Sequence, residues 1–454
     1  MNLKKMTLQM AAVAVLSLGP LNAHALDLLD AYEAALNHDP VQKAAMQTLR
    51  AGREKAVQGD ALLRPRVSFQ AGANYVDDHM SSGAPAAYSG LLPGAGTGVV
   101  RQSALQLSQP LYDQGARAGK VQLHLQSEVA QIEFEQASQN LVQRIAERYL
   151  DVLKAEENLR VVLATKSALG MQRDRAQARF NVGRGKVTDL HESQARYDQV
   201  LTQEVSARST LELRRASLSE LTGLPADDLQ LQGLIPERAP SAPEPDNLTE
   251  WQQRGEKQNS QIRVRHAQRA AAAAEVEKYR LANRPTLNLV ASYNNRAQSG
   301  GLSPLVSARS DRSATIGVQF TAPLYAGGGL DSKEREALAK QDEADDLLEA
   351  AKSQVRLQIQ SAFLEVKTGV ARVASVGQSL TSARSALAAT TLGRDVGTRT
   401  ELDVLDAQQR AFSAEFEYSQ ARLDYLLGQI RLAAATGELS ADHLRTTNSW
   451  LRQP

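Results

Sequence analysis

Apolar Val67, Phe69, Ala71, Ala73 and Tyr75 alternate strictly with Ser68, Gln70, Gly72 and Asn74. This period of two predicts a strand with one apolar and one polar face. After a loop at 77–98 rich in Gly, Ser, Ala and Pro, Leu105 and Leu107 alternate with Ala104, Gln106 and Ser108 up to Pro110. The same pair recurs later. Leu287, Leu289, Ala291 and Tyr293 are followed, beyond a loop at 295–312, by Ala314, Ile316, Val318 and Phe320, ending at Pro323. The predicted strands are 66–76, 99–110, 286–294 and 313–323. They run from nine to twelve residues, close to the length a tilted barrel strand needs to cross hydrocarbon. Their polar faces, with Ser, Thr, Asn, Gln and Gly, suit a wet lumen.

Elsewhere the period is helical. A helix is predicted from 28 to about 63, ended by Arg64-Pro65, and two long runs extend over 115–180 and 329–393 without Pro or a turn cluster. At ~1.5 Å per residue each long run spans about 100 Å. The second carries a heptad seam of Ile359, Val366, Val373, Leu380 and Leu387, with Val355, Ala362, Gly369, Val376 and Ala383 beside it. Such a seam winds helices left-handedly around one another. In the first run Ile145, Val152 and Leu159 form a looser seam.

The halves of the chain resemble each other. Val182-Gly183, Asp189 and Gln194-Ala195-Arg196 recur as Val396-Gly397, Asp403 and Gln408-Gln409-Arg410 at a constant offset of 214, as do Thr222-Gly223 and Thr436-Gly437. Arg64-Pro65 returns as Arg284-Pro285 at an offset of 220. A period this long is a unit copied once, not a solenoid. The boundaries read from it are a first repeat at 26–232, a Pro-rich exposed linker at 233–247, a second repeat at 248–437 and a tail at 438–454.

Lys4 and Lys5 precede a short apolar run at 10–18, then Ala23-His24-Ala25, which predicts a secretory signal at 1–25 cleaved after Ala25. The chain has no Cys, which excludes an N-terminal thioether lipid anchor, and its net charge of +1 gives no basic field for nucleic acid. Aromatic residues are scarce, and several lie in or beside the strands; Tyr112 and Tyr325 sit where strand gives way to helix, as in an interfacial aromatic belt.

Gly183 and Gly397 suit the left-handed position that ends a helix, so both long runs turn into helical hairpins. Asp189 opens one returning helix, and Asp189-x-x-Glu192 and Thr400-x-x-Asp403 read as capping boxes. Capping accounts for Asp189 and Asp403 but not for Asp406.

Enzymatic chemistry finds no support. Gly183-Arg-Gly185-Lys186-Val187-Thr188 lacks the earlier Gly of a phosphate loop: with four residues between it and Gly185, that place is held by Phe180. Gly94, Gly96 and Gly98 lack dinucleotide-fingerprint spacing, the seven His have no metal-ligand spacing, and no GxSxG occurs. The reading is of a non-enzyme without cofactor or metal.

The segments Gly397-Thr-Arg-Thr-Glu-Leu-Asp403-Val-Leu-Asp406-Ala, Arg179-Phe-Asn-Val-Gly183 with Thr188-Asp189, Gln109-Pro-Leu-Tyr112 and Ala322-Pro-Leu-Tyr325 resemble the TolC family of outer-membrane channel-tunnels over the whole mature chain. The resemblance implies an α+β membrane protein: a homotrimer whose protomers each give four strands to one 12-stranded barrel, continued by a helical coiled-coil tunnel in the periplasm. It further implies a passive exit duct for efflux or type I secretion, opened with a periplasmic adaptor and an inner-membrane pump. By resemblance Asp403 and Asp406 ring the periplasmic entrance, while Asp189 and Arg399 belong to its closure latch. The family's latch tyrosine falls at Arg394, which has the charge to pair with Asp189. Independently, four strands from one chain leave two open edges in lipid, so closure requires several copies. The alternative reading is a non-conducting trimeric coiled-coil tether of the envelope.

Overall fold

The computed structural model describes residues 26–79, 95–235, 238–300 and 308–451. The expected signal at 1–25 lies outside them, as do Pro236 and parts of both strand-connecting loops.

Two helices open the chain, α1 (Leu28–His38) and α2 (Pro40–Ala61). The single helix expected over 28–63 is therefore broken. Pro40 disfavours helical backbone at the residue before it, and Asp39 is extended in ψ at 117°. Asp39 then caps α2, accepting from the Val41 and Gln42 amides at 3.3 and 3.1 Å, and pairs with Arg144. Next come β1 (Arg66–His79), β2 (Ala95–Tyr112), α3 (Gln114–Asn181) and α4 (Val187–Thr222). The second half contributes α5 (Leu248–Gln258), α6 (Ser260–Arg280), β3 (Thr286–Gly300), β4 (Ala308–Thr321), α7 (Gly329–Asp395), α8 (Glu401–Thr436) and α9 (Ala441–Asn448). Asn259 breaks α5 from α6 as Asp39 breaks α1 from α2, its Nδ2 donating to the Ala435 carbonyl at 2.8 Å.

The compact units do not follow the two halves. One combines Ala45–Gln136 with Ser260–Gln354; the other combines the described residues of Met1–Ala44, Ala137–Asn259 and Val355–Pro454. Each takes segments from both halves because a lone hairpin or helix pair buries too little to stand by itself.

The first unit holds one antiparallel sheet of order β1-β2-β3-β4. Its strands have 14, 18, 15 and 14 residues, longer than the alternation predicted. Backbone pairing continues past the apolar stretch, since it depends on N–H and C=O groups and not on side-chain polarity. β2 also passes Pro110, at the cost of a register shift between Pro110 and Tyr112, whereas β4 ends before Pro323. Within this unit α2 and α3 are joined by Asp60, which takes Lys120 and His124 at 2.9 and 3.0 Å.

The second unit is helical. Val355, Ile359, Val366, Val373 and Leu380 of the heptad seam are buried, as are Leu423, Tyr425, Leu426 and Ile430 of α8. The Tyr425 hydroxyl accepts from the Ser241 amide at 3.1 Å and donates to its carbonyl at 2.9 Å. Ile235 donates to Trp450, and Leu234 bridges to Leu451. The stretch expected as an exposed linker is thus pinned at several points, because its backbone groups find partners on α8 and the chain's end. The expected tail carries α9, whose Leu444 is fully buried.

Candidate functional site

Antiparallel register preserves side-chain parity, so the four strands align into one sheet with two chemically distinct faces. Val67 and Phe69 lie opposite Leu107 and Leu105; these meet Ala291 and Tyr293, which face Ile316 and Ala314. The opposite face carries Gln70, Asn74, Gln106, Ser292, Asn294 and Thr315, with Ser292 and Thr315 hydroxyls 2.7 Å apart. On the apolar face Phe69, Ile316 and Phe320 are 69, 78 and 66 % exposed within the protomer. Water does not favour leaving such a patch bare. β1 and β4 each pair on one side only among the described residues, so the sheet has two unpaired edges. At its borders the Tyr112 hydroxyl accepts from the Gln114 side-chain Nε2 at 2.5 Å, and Tyr325 stands exposed between β4 and α7.

The hairpin tips belong to the helical unit. α3 ends in a turn where Arg184 N–H bonds the Arg179 carbonyl at 2.9 Å and Gly183 takes a φ of 73°. α7 ends alike, with Thr398 N–H on the Gly393 carbonyl at 2.8 Å and Gly397 at a φ of 79°. The returning helices start differently. Thr400 and Asp403 form the expected capping box: the Thr400 N–H donates to Asp403 at 2.8 Å and the Asp403 N–H to the Thr400 hydroxyl at 3.2 Å. The bonds from the Thr400 N–H and hydroxyl, with Arg399 and Arg410 nearby, hold the Asp403 carboxyl below the usual carboxylate range. In α4 the cap position is Lys186, which makes no side-chain cap bond, and Asp189 already lies inside the first turn. The capping box expected from Asp189 and Glu192 is therefore absent: Asp189 has a helical position, so its carboxylate is not where a cap must be.

Asp406 is paired. Arg196, on α4, reaches it with one guanidinium nitrogen at 2.7 Å and Glu192 with another at 3.0 Å. Those contacts, Asp406 first, raise the Arg196 pKa. Leu169, Val200 and Leu405 form an apolar cluster joining α3, α4 and α8. Arg196 was not among the residues expected to act here; its sequence signal is the i,i+4 spacing from Glu192 and the repeat match to Arg410.

The three expected latch residues line one cavity of about 470 Å³. Arg394 pairs with Asp395 at 2.6 Å. Asp189 makes no ion pair among the described residues, and its carboxylate accepts from the Thr188 hydroxyl at 3.4 Å. Asp189, Arg394 and Arg399 are thus brought together without a direct Asp189–Arg bond in one protomer.

A family model described as "Outer membrane efflux protein" matches residues 31–224 and 251–438. Outer membrane protein TolC of Vibrio cholerae is 29 % identical, covering 94 % of this chain and 94 % of its own. Alkaline protease secretion protein AprF of Pseudomonas aeruginosa is 30 % identical over 92 % of this chain and 86 % of its own. Among solved structures, the Vibrio cholerae outer membrane protein VceC shares the fold with a TM-score of 0.73 at 20 % identity, covering 90 % of this chain and 96 % of that one.

Proposed function

We proceed from the finding that this chain belongs to the outer membrane efflux protein family, and we propose how it works there. It is an outer-membrane channel for efflux or secretion. Three copies pair their open β1 and β4 edges into a 12-stranded barrel, apolar face to lipid and polar face to a water-filled lumen. An eight-stranded barrel from two copies is narrow enough for side chains to fill, whereas twelve strands leave a duct. The observation that carries this reading is the exposed apolar sheet face ending in two unpaired edges.

The helices form the periplasmic part of the duct and the hairpin tips close it. The matched element lengths support an internal duplication: α1 and α5 have 11 residues each, and α4 and α8 have 36 each. Asp403 and Asp406 face the entrance, and Asp189 with Arg399 and Arg394 bonds between neighbouring copies. An adaptor protein and an inner-membrane pump break those bonds to open it. Tyr112 and Tyr325 anchor the barrel at the lipid boundary.

Single-channel conductance of the purified protein in a planar bilayer tests the reading. Asp189→Asn with Arg399→Gln is expected to raise the resting conductance. Neutralising Asp198 and Arg214, on α4 but away from the turn, leaves it unchanged. A protein that never conducts, in either form, is the tether instead.

A further inference from the structure

The tip cavity holds more positive charge than a latch uses. Six cations line it: Arg196 is paired with Asp406 and Glu192, Arg394 with Asp395, and Arg175 is engaged as well, which leaves Arg179, Lys186 and Arg399 facing Asp189. Glu192 is engaged with Arg196. Arg179, Lys186 and Arg399 make no ion pair among the described residues. The first two flank one hairpin turn and the third lies in the other.

Two further features suit an anion. The first turn of α4 opens onto the cavity at Gly185 and Lys186, and its amides have no side-chain cap. Uncapped helix N–H groups carry partial positive charge. Gln172, only 9 % exposed, also lines the cavity, and its Oε1 has no hydrogen-bond partner. The amide's O and N exchange by rotation, so a side chain in the cavity wall has a hydrogen-bonding group without a partner, donor or acceptor. A volume of about 470 Å³ lies in the range of small-molecule sites, so the cavity admits a ligand with two or three anionic groups.

We propose that this cavity is a binding site for a multivalent anion, a ligand carrying clustered phosphate or carboxylate groups. Guanidinium groups match both chemistries through paired N–H donors, and the Lys186 ammonium adds a point charge. Such a ligand bridges Arg179 and Lys186 of the first hairpin to Arg399 of the second. If these turns are the closing end of the duct, as proposed above, the bridge holds a protomer's two tips together. The site is distinct from the carboxylates of Asp403 and Asp406, which do not line the cavity.

The test is isothermal titration calorimetry on the detergent-extracted protein at fixed ionic strength, with pyrophosphate in one arm and tricarballylate in the other. Saturable binding of one anion per protomer is expected, and the tighter arm tells phosphate from carboxylate recognition. Arg179→Gln with Lys186→Gln weakens it at least tenfold; Lys43→Gln with Lys257→Gln, the same charge change on exposed residues away from the tips, does not. Lys186→Gln alone, at a position with no side-chain cap bond to lose, weakens it severalfold. No saturable heat in either arm overturns the proposal, and so does equal weakening by the two double variants. Calorimetry reads no current, so a non-conducting protein that binds pyrophosphate sinks the channel reading and leaves this one intact.

Discussion

Replacing Arg196 by Gln removes the cation that neutralises Asp406 while leaving the hairpin fold in place. The side chains of this pair are 30 and 42 % exposed, so its loss costs only about 0.5 kcal/mol of stability. The effect on the entrance is larger. A carboxylate about 10 Å from a trivalent cation contributes about 1.2 kcal/mol in water, reduced to about 0.5 kcal/mol by a Debye length of about 10 Å. Threefold repetition brings this to about 1.4 kcal/mol, or tenfold in affinity. Block of single-channel current by a trivalent cation added from the periplasmic side is therefore expected to tighten about tenfold in R196Q, with only a slightly lower thermal midpoint. Asp406→Asn in the same background restores the original block, whereas Glu192→Gln does not. If R196Q blocks like wild type while Asp403→Asn weakens block, Asp406 faces away from the entrance and the assignment fails.

Two further outcomes bear on the lipid face and the tip. Ile316→Arg, on the exposed apolar face, is expected to cost about 2–4 kcal/mol for folding into bilayers, read by urea titration in lipid vesicles, while Gln319→Arg on the other face costs little; equal costs refute the assignment of faces. Thr400→Val removes the hydroxyl half of the capping box. Because Asp403 titrates below its ordinary 3.8 when folded, the bond is fully present above that pH and is lost as pH falls through the lower folded value. The gap in thermal midpoint between wild type and variant therefore holds from neutral pH to about 4 and closes below it; a gap that persists under strong acid shows that Asp403 is not the partner.

What the sequence by itself determined was periodic. Alternation at Val67–Tyr75 and Ala314–Phe320 located strands and their apolar face, because side chains on a strand change sides at every residue. The heptad from Val355 to Leu380 located a buried seam, since 3.5-residue spacing keeps one stripe against a partner. Thr400-x-x-Asp403 located a helix start, its donors and acceptors lying within four residues. Contacts between distant segments carry no such signal. Tertiary structure alone decided that Arg196 meets Asp406 across 210 positions, that six cations converge on one cavity, and that the Pro-rich stretch is held by Tyr425 and Trp450. It also decided that Asp189 does not cap α4, although the two turns match at Asp189 and Asp403. A local motif specifies a cap only when the residue before the first helical turn has an oxygen to offer; Lys186 has none, whereas Thr400 does.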